Sequence, residues 1–374
     1  MKKTYKYRLF PNPRQTTLLE QSLDSCRWLY NHFLEQRINS WETKKESLSR
    51  YGQDATLKSL KQEYPFLADV FSQVLQNVSM RIDLAFRAFF RRVKSGDKPG
   101  FPRFRSKFRY DSFTYPQSGF KLLKNVVRLS KIGGVKIKLH RPVEGKIKTC
   151  TIRRTLTGKW FVTFACEIEH KPIEQSINPS IGIDMGLSHF ATLSNGEQVD
   201  NPRFFRKEEK VLAKAQRKFS AQKKATKARR KARKVVARIH ERINNKRHNF
   251  AHQESREIVN RFNTISVEDL SINDMKKDNF RCINKSIGDA AWRMFLNLLD
   301  YKAEYAGKRA VKINPVFTSQ NCSRCGNRHK LNLSDRIYHC PVCSLSLNRD
   351  VNAAINICAL GLQRLGVSVE AQQF

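Results

Sequence analysis

Cys322-Ser323-Arg324-Cys325, fourteen intervening residues, Cys340-Pro341-Val342-Cys343 and, seven positions later, Asp350 form the most specific stretch of this chain. Two close thiol pairs at this spacing suit a tetrahedral Zn²⁺ cage. Paired thiols among polar turns favour zinc over an iron–sulfur cluster. Four thiolates complete the coordination, so His339, beside Cys340, is not needed as a ligand. A carboxylate just beyond the cage indicates that the zinc element is set into a larger catalytic domain.

Two further acids lie upstream. Ser180-Ile181-Gly182-Ile183-Asp184-Met185-Gly186-Leu187 reads as a short apolar strand ending in Asp184, which shares a face with Gly182 and opposes Ile181 and Ile183. A second strand follows as Phe190-Ala191-Thr192-Leu193-Ser194, with a hairpin signal at Asn195-Gly196. Thr264-Ile265-Ser266-Val267-Glu268 repeats the pattern; its acid falls opposite Ile265 and Val267, whereas Asp269 falls on their face. Asp350 opens an apolar helical stretch, where the bland reading is a first-turn acid favoured by the helix dipole. An acid buried in an apolar strand is costly without a cation beside it. Three such acids could converge to hold two Mg²⁺ ions about 3.5–4 Å apart for phosphodiester hydrolysis.

The charge points to the same class of substrate. Among 374 residues, 71 Lys and Arg face 33 Asp and Glu, a formal net charge of +38. Such a chain repels itself unless it meets a polyanion, and nucleic acid is the obvious one. A membrane surface is the weaker reading, since no single amphipathic helix concentrates the charge. The basic start, Met1-Lys2-Lys3-Thr4-Tyr5-Lys6, lacks the apolar run of a signal peptide, and no apolar stretch approaches the ~20 residues of a membrane span. Nine cysteines, four of them in the zinc pattern, fit a reducing interior; Cys26, Cys150, Cys166, Cys282 and Cys358 read as plain buried thiols.

Toward the N-terminus, Tyr5 to Phe10 alternates like a strand, and Asn12-Pro13-Arg14-Gln15 reads as a helix start with Asn as N-cap. Helical patterns run to about Arg92, including an apolar face of Leu75, Val78, Ile82, Phe86 and Phe89 or Phe90, read as core packing. The segment Lys98-Pro99-Gly100-Phe101-Pro102-Arg103-Phe104-Arg105-Ser106-Lys107 interleaves aromatics with cations. It suits base stacking with phosphate contact through Arg103 and Arg105, or equally a solvated loop with buried Phe anchors. From about Phe113 the period becomes two, with strands at 126–129, 135–139, 149–154 and 160–167 and a linker from Lys171 to Pro179. A strand, a helical block and more strands suggest a small β-barrel with a helical insertion. Between the first two acids, Arg203 to Arg247 holds nineteen Lys/Arg against three Glu and reads as largely helical. Phosphate binding, through residues such as Lys223, Lys224, Arg229 and Arg230, is the better reading of that tract; a nuclear or nucleolar targeting sequence is the competitor.

The order Ile-Asp184-Met-Gly, Val-Glu268-Asp-Leu, Thr318-Ser319-Gln320-x-Cys322-Ser-x-Cys325-Gly, Cys340-Pro-x-Cys343 and Asn-Arg-Asp350-Val-Asn-Ala-Ala strongly resembles TnpB. These are transposon-encoded RNA-guided DNA endonucleases related to type V CRISPR effectors. Tyr7 to Pro11, Tyr30 to Leu34 and Gly100 to Phe104 look like the family's N-terminal signatures, so the resemblance covers nearly the whole chain. It implies a multi-domain α/β and β fold. A wedge β-barrel at 1–12 and 112–172 is interrupted by a helical recognition module at 13–111. A RuvC-like nuclease of the RNase H fold occupies 176–374, with a basic helical segment at 203–260 and a zinc-binding insert at 318–347. The resemblance makes Asp184, Glu268 and Asp350 the metal-binding acids, for Mg²⁺ or Mn²⁺, and the zinc cage structural. It also implies a guide RNA from the transposon end, double-stranded target DNA and a monomer in the ribonucleoprotein of a bacterial or archaeal cytoplasm, at the nucleoid. Base pairing would read the target and side chains a short flanking motif. Tyr51, Gln76 and Thr114 match positions near that motif in a related member, and Ser72 falls where that relative has lysine. Asn348 stands where many members have Asp. A nuclease-inactive guide-directed repressor and a basic zinc-ribbon RNA-binding protein are the alternatives; retention of all three acids separates the first from an active enzyme. A transposase proper is disfavoured by the lack of a His-hydrophobic-His motif with an attacking Tyr.

Overall fold

The computed structural model describes residues 1–367 except 170, 171, 174, 175, 273, 278, 333 and 334, so the start of the expected linker and the end of the expected nuclease domain lie outside the described residues. The chain divides into two compact units, Met1–Glu169 and His170–Phe374. Among the described residues, no helix is long and apolar enough to cross a membrane.

In the first unit, β1 (Lys2–Phe10) leads into α1 (Pro13–Lys44), α2 (Arg50–Ala55), α3 (Leu57–Glu63) and α4 (Ser72–Lys94). The start of α1 is as the sequence reads: Asn12 accepts the Gln15 N–H at 2.8 Å, and the Gln15 side chain returns the bond to the Asn12 N–H at 3.1 Å. Six strands follow: β2 (Ser112–Tyr115), β3 (Phe120–Leu123), β4 (Val126–Leu129), β5 (Gly133–Lys138), β6 (Lys146–Arg154) and β7 (Trp160–Glu167). They form one antiparallel sheet in the order β2-β6-β7-β1-β5-β4-β3. Its edge strands, β2 and β3, are joined by residues 116–119 alone. Five Cα steps span at most about 18 Å, whereas seven strands laid flat would spread about 29 Å. The sheet therefore curls toward a barrel. No β2–β3 ladder completes the closure, which leaves a half-barrel where the sequence suggested a barrel.

Helices and sheet share one core: Leu19, Leu29 and Phe33 of α1 and Val74, Leu75, Val78 and Ile82 of α4 pack with Tyr5, Leu9, Val162 and Phe164 of the sheet. The apolar face of α4 is fully buried to that point, and Phe86, half-buried, still packs against the core. Phe90 is exposed beyond it, and Phe86 and Phe89 meet Phe101 edge-on at 5.6 and 5.3 Å. Phe101 and Phe104 are about half exposed, so this segment is not a loop with buried Phe anchors.

The second unit is built on a five-stranded sheet in the order β10-β9-β8-β11-β12. β8 (Ser180–Asp184), β9 (His189–Leu193) and β10 (Gln198–Asp200) run antiparallel, turning at Asn195-Gly196 with Gly196 at φ +88. The basic tract follows as a helical hairpin, α5 (Phe204–Ser220) and α6 (Lys227–Arg261), zipped by Leu212, Ile239 and Ile243. β11 (Thr264–Glu268) then lies parallel to β8, α7 (Arg281–Ala290) and α8 (Trp292–Ala306) follow, and β12 (Arg309–Ile313) lies parallel to β11. The small hairpin of β13 (Ile337–His339) and β14 (Ser346–Asn348) belongs to the cysteine region, and α9 (Arg349–Arg364) completes the unit.

Strand alternation sorts the two faces of this sheet. Ile181, Ile183, Ile265 and Val267 pack in one core with Ile258 and Val259 of α6 and Phe295 and Leu299 of α8. The opposite face takes α9. A Cβ at Gly182 would overlap the Ala354 carbonyl and the Cys358 nitrogen, and a Cβ at Gly361 would overlap Ser266 Oγ. Glycine at these two points is what lets the helix lie directly on the strands. Val311 and Ile313 of β12 meet Ile357 on the same side. Four of the five cysteines outside the zinc pattern are buried as expected. Cys282 is exposed, because it sits in the first turn of α7 rather than on the helix face that packs inward through Ile287.

Candidate active site and zinc centre

The parallel register places Val267 beside Ile183 and Glu268 beside Ile313, so Asp184 and Glu268 end adjacent strands on the α9 face. Because Gly182 lies under Ala354 and Cys358, α9 runs antiparallel to β8 and brings its first turn, with Asp350, to the same end. Asn348 caps that turn by accepting the Asp350 and Val351 N–H groups at 2.9 and 3.3 Å, a task Asn performs as well as Asp. The three carboxylates interact. Burial, then the charges of Glu268 and Asp350, push the Asp184 carboxyl up to about 8, against the opposing pull of Arg349 and the Met185 N–H. Burial also raises Glu268, which is 8% exposed; the hydroxyl of Thr318, donating to its Oε1 at 2.7 Å, opposes that rise. Asp269, just past the end of β11, is exposed.

The four cysteines make a tighter cluster. All four sulfurs lie within 4.8 Å of one another, with Cys322 to Cys343 and Cys325 to Cys340 both at 3.5 Å. Zn–S bonds of about 2.3 Å in a tetrahedron require S···S separations near 3.8 Å, so the donor set fits a zinc ion. Each thiol pair sits in the same turn: the Gly326 N–H donates to the Cys322 carbonyl at 2.9 Å, and the Ser344 N–H to the Cys340 carbonyl at 3.1 Å. Gly326 and Ser344 both adopt positive φ, +74 and +58. Backbone N–H groups of Cys343 and Val342 lower the Cys340 thiol to about 6, which favours the thiolate. Among the described residues, no other group of three or more His, Cys, Asp or Glu closes this tightly, so the carboxylate cluster is the looser of the two.

Side-chain amides on α9 bind the two features together. Asn352, fully buried, accepts the Ser323 N–H at 2.9 Å and donates to the Asn321 carbonyl at 2.8 Å. One turn on, Asn356 donates to the carbonyls of Asn321 at 2.7 Å and Thr318 at 2.8 Å. Sequence reasoning singled out the Thr318 and Asn352 motifs without seeing these bonds. The visible signal is a pair of asparagines four apart in an apolar helix, where Asn is otherwise unfavourable.

The expected nucleic-acid contacts fall in varied settings. Tyr51 on α2 is exposed, and Gln76 lies one turn beyond Ser72 on α4. Lys61 Nζ donates to Ser72 Oγ at 2.7 Å, which places a cation where the serine stands. Thr114 on β2 accepts from Arg81 at 2.9 Å and pairs with Thr151 at 2.9 Å. Arg103 is exposed; Arg105 lies over the Tyr30 ring at 5.5 Å, and Asn31 clamps its backbone by bonds of 2.7 and 3.1 Å. Lys223 and Lys224 are exposed at the α5–α6 turn. Arg229 turns inward instead: it stacks on Phe219 at 4.3 Å and donates to the carbonyls of Phe219 and Gln222, closing that turn. Arg230 reaches the Ala225 carbonyl at 3.4 Å.

Family models described as "Probable transposase", "Cas12f1-like, TNB domain" and "Helix-turn-helix domain" match residues 163–279, 292–357 and 1–46. The last description does not fit the fold, since residues 1–46 form a strand and one long helix. A Streptomyces pristinaespiralis protein named "Putative RNA-guided DNA endonuclease" is 34% identical over 97% of this chain and 90% of its own length. An Escherichia coli K12 protein, "Putative RNA-guided DNA endonuclease InsQ", is 31% identical over 96% of the chain and 92% of its own. The fold matches a solved Cas12f1–sgRNA–target DNA complex with a TM-score of 0.61 at 15% identity, covering 96% of this chain and 98% of that one. With about one-third identity along nearly its whole length to such relatives, the chain belongs to the TnpB family.

Proposed function

We propose that this protein is a transposon-encoded RNA-guided DNA endonuclease whose catalytic carboxylates are Asp184, Glu268 and Asp350. The observation that carries the reading is the convergence of these acids, from segments 84 and 82 residues apart, at one end of a sheet under α9. The similarity to curated relatives supports guide RNA and target DNA as partners. On this reading the second unit is a RuvC-like nuclease of the RNase H fold spanning 176–374, with its zinc insert at 318–347 and basic segment at 203–260. The half-barrel at 1–12 and 112–172 is the wedge and 13–111 the recognition module, with Tyr51, Ser72, Gln76 and Thr114 beside the flanking motif. The protein would act in a bacterial or archaeal cytoplasm, at the nucleoid.

The donor set fits hard divalent ions: oxygen ligands in a loose cluster, with like charges that repel one another. Bound as a pair, Mg²⁺ or Mn²⁺ would supply an activated water and stabilise the leaving 3′-oxygen. The residues do the rest. Burial and then the charges of Glu268 and Asp350 raise the Asp184 carboxyl, and Arg349 lightens that repulsion. The four thiolates take no part in the chemistry, because a closed cage has no open position; they stiffen the segment that abuts Glu268. Retention of all three acids favours this reading over a nuclease-inactive repressor.

Co-expression with the RNA of the adjacent transposon end, against a plasmid library with randomised flanks, tests it. Divalent-metal-dependent cleavage next to one short motif is expected, with at least ~100-fold loss in Asp184→Ala, Glu268→Ala and Asp350→Ala. Robust cutting by those variants would sink the site assignment.

A further inference from the structure

We infer that Thr318 is a positioning residue for Glu268, held in place by α9, so that the shoulder of the zinc insert sets the orientation of the nuclease carboxylate. The inference rests on the active-site reading given above. Glu268 is almost fully buried at the end of β11. Among the described residues, Thr318 is the one hydrogen-bond partner of its carboxylate, and only Oε1 is engaged. Two oxygens on a rotating carboxylate are equivalent until something distinguishes them. The Thr318 bond does so, and it leaves Oε2 as the oxygen available to a cation.

The donor is itself fixed at several points. Thr318 is 4% exposed, and its hydroxyl lies 2.7 Å from Glu268 Oε1 and 3.1 Å from the Pro315 carbonyl. A hydroxyl carries one proton, and the shorter contact, to a carboxylate, is the stronger claimant. The Thr318 carbonyl is held by Asn356, which with Asn352 also holds Asn321, the neighbour of Cys322. The helix bearing these two amides begins with Asp350. One rigid element thus carries an acid directly and fixes the partner of a second acid through the segment entering the zinc cage. Carboxylates that bind metals depend on such outer contacts, whose loss typically costs 10–100-fold in metal affinity or activity.

The test uses the full chain with its guide RNA and bound zinc, without target DNA, and reads Mn²⁺ binding by electron paramagnetic resonance. Sites abolished in Asp184→Ala define the nuclease cluster; if Asp184→Ala loses none, the active-site reading itself fails, whatever Thr318 does. Thr318→Val keeps the shape and removes the donor. It should weaken Mn²⁺ at those sites about 10–100-fold. The Mn²⁺ needed for half-maximal cleavage should rise in parallel, with zinc content and target-DNA affinity unchanged. Thr318→Ser should restore binding to within about threefold. Should Thr318→Val fold poorly, the Thr318→Ala and Thr318→Ser pair reads the hydroxyl instead. Parental Mn²⁺ affinity in Thr318→Val or Thr318→Ala, or a Thr318→Ser protein as weak as either, overturns the inference.

Discussion

A lysine at position 302 illustrates how a single side chain is set by its surroundings. Lys302 is 3% exposed on α8, and its ammonium donates to the His252 carbonyl and to Ser255 Oγ, both at 2.7 Å. Neither acceptor is charged, so burial dominates and lowers its pKa to about 8, with nearby Arg256 acting in the same direction. Between about pH 8 and the ordinary lysine value of 10.5, the unfolded chain binds the extra proton and the folded one does not. The contribution of Lys302 to stability should therefore rise with pH across that window. Denaturant midpoints of the parent and of Lys302→Met at pH 8 and pH 10 check this: the difference, parent minus variant, should rise with pH, even though the buried Cys26, Cys150 and Cys358 thiols, raised by burial, pull the stability of both proteins down. A sequence pattern shows Lys302 only as a cation on a helix, since what decides its behaviour is a neighbour fifty residues earlier. Arg229 is the same lesson in reverse: an arginine in a basic tract whose guanidinium closes a turn. The acids were legible as strand-end and helix-start residues because two-residue and helical periods are local. The Thr318–Glu268 bond was not, because nothing local encodes it.

At the scale of elements, the site depends on how closely α9 lies against β8 and β11. Gly182 and Gly361 supply that approach, at points where any Cβ would meet backbone or Ser266. Gly182→Ala should destabilise the second unit by about 1–3 kcal/mol through overpacking. It should also reduce cleavage more than target binding, since the helix carries Asp350 away from Asp184. Thermal melting and separate binding and cleavage assays would distinguish this from simple unfolding. The strands read at 126–129, 160–167, 180–184 and 264–268 and the α1 cap followed the sequence closely, because alternation and capping are short-range signals; β3 and β12 were not read. The incomplete closure of the first sheet did not, since it turns on whether β2 and β3 complete a ladder. The outer end of α4 departs from core packing in part: Phe86 still packs against the core while also meeting Phe101, whereas Phe90 is exposed.

For the whole molecule the governing quantity is a net charge of +38. Affinity for RNA or DNA should fall steeply with salt, by about 0.7–0.9 in logarithmic slope for each phosphate neutralised. Lys223→Gln with Lys224→Gln should reduce the slope by roughly 1–2 if both exposed lysines meet phosphate. Arg229→Gln should leave the slope unchanged and lower the melting temperature instead. Titrations at several salt concentrations separate the two behaviours.

The order of strands in the first sheet also bears on how the chain is made. β1 is translated before the other strands of its sheet yet lies in the middle, paired on one edge with residues 136–138 and on the other with 160–167. A nascent chain shorter than about 160 residues thus carries a strand with an open edge, and such edges invite wrong partners. Pairings this distant in sequence form slowly. Ribosomal synthesis must deliver nearly the whole first unit before its opening strand is enclosed, so that unit assembles as one late event rather than stepwise from its beginning.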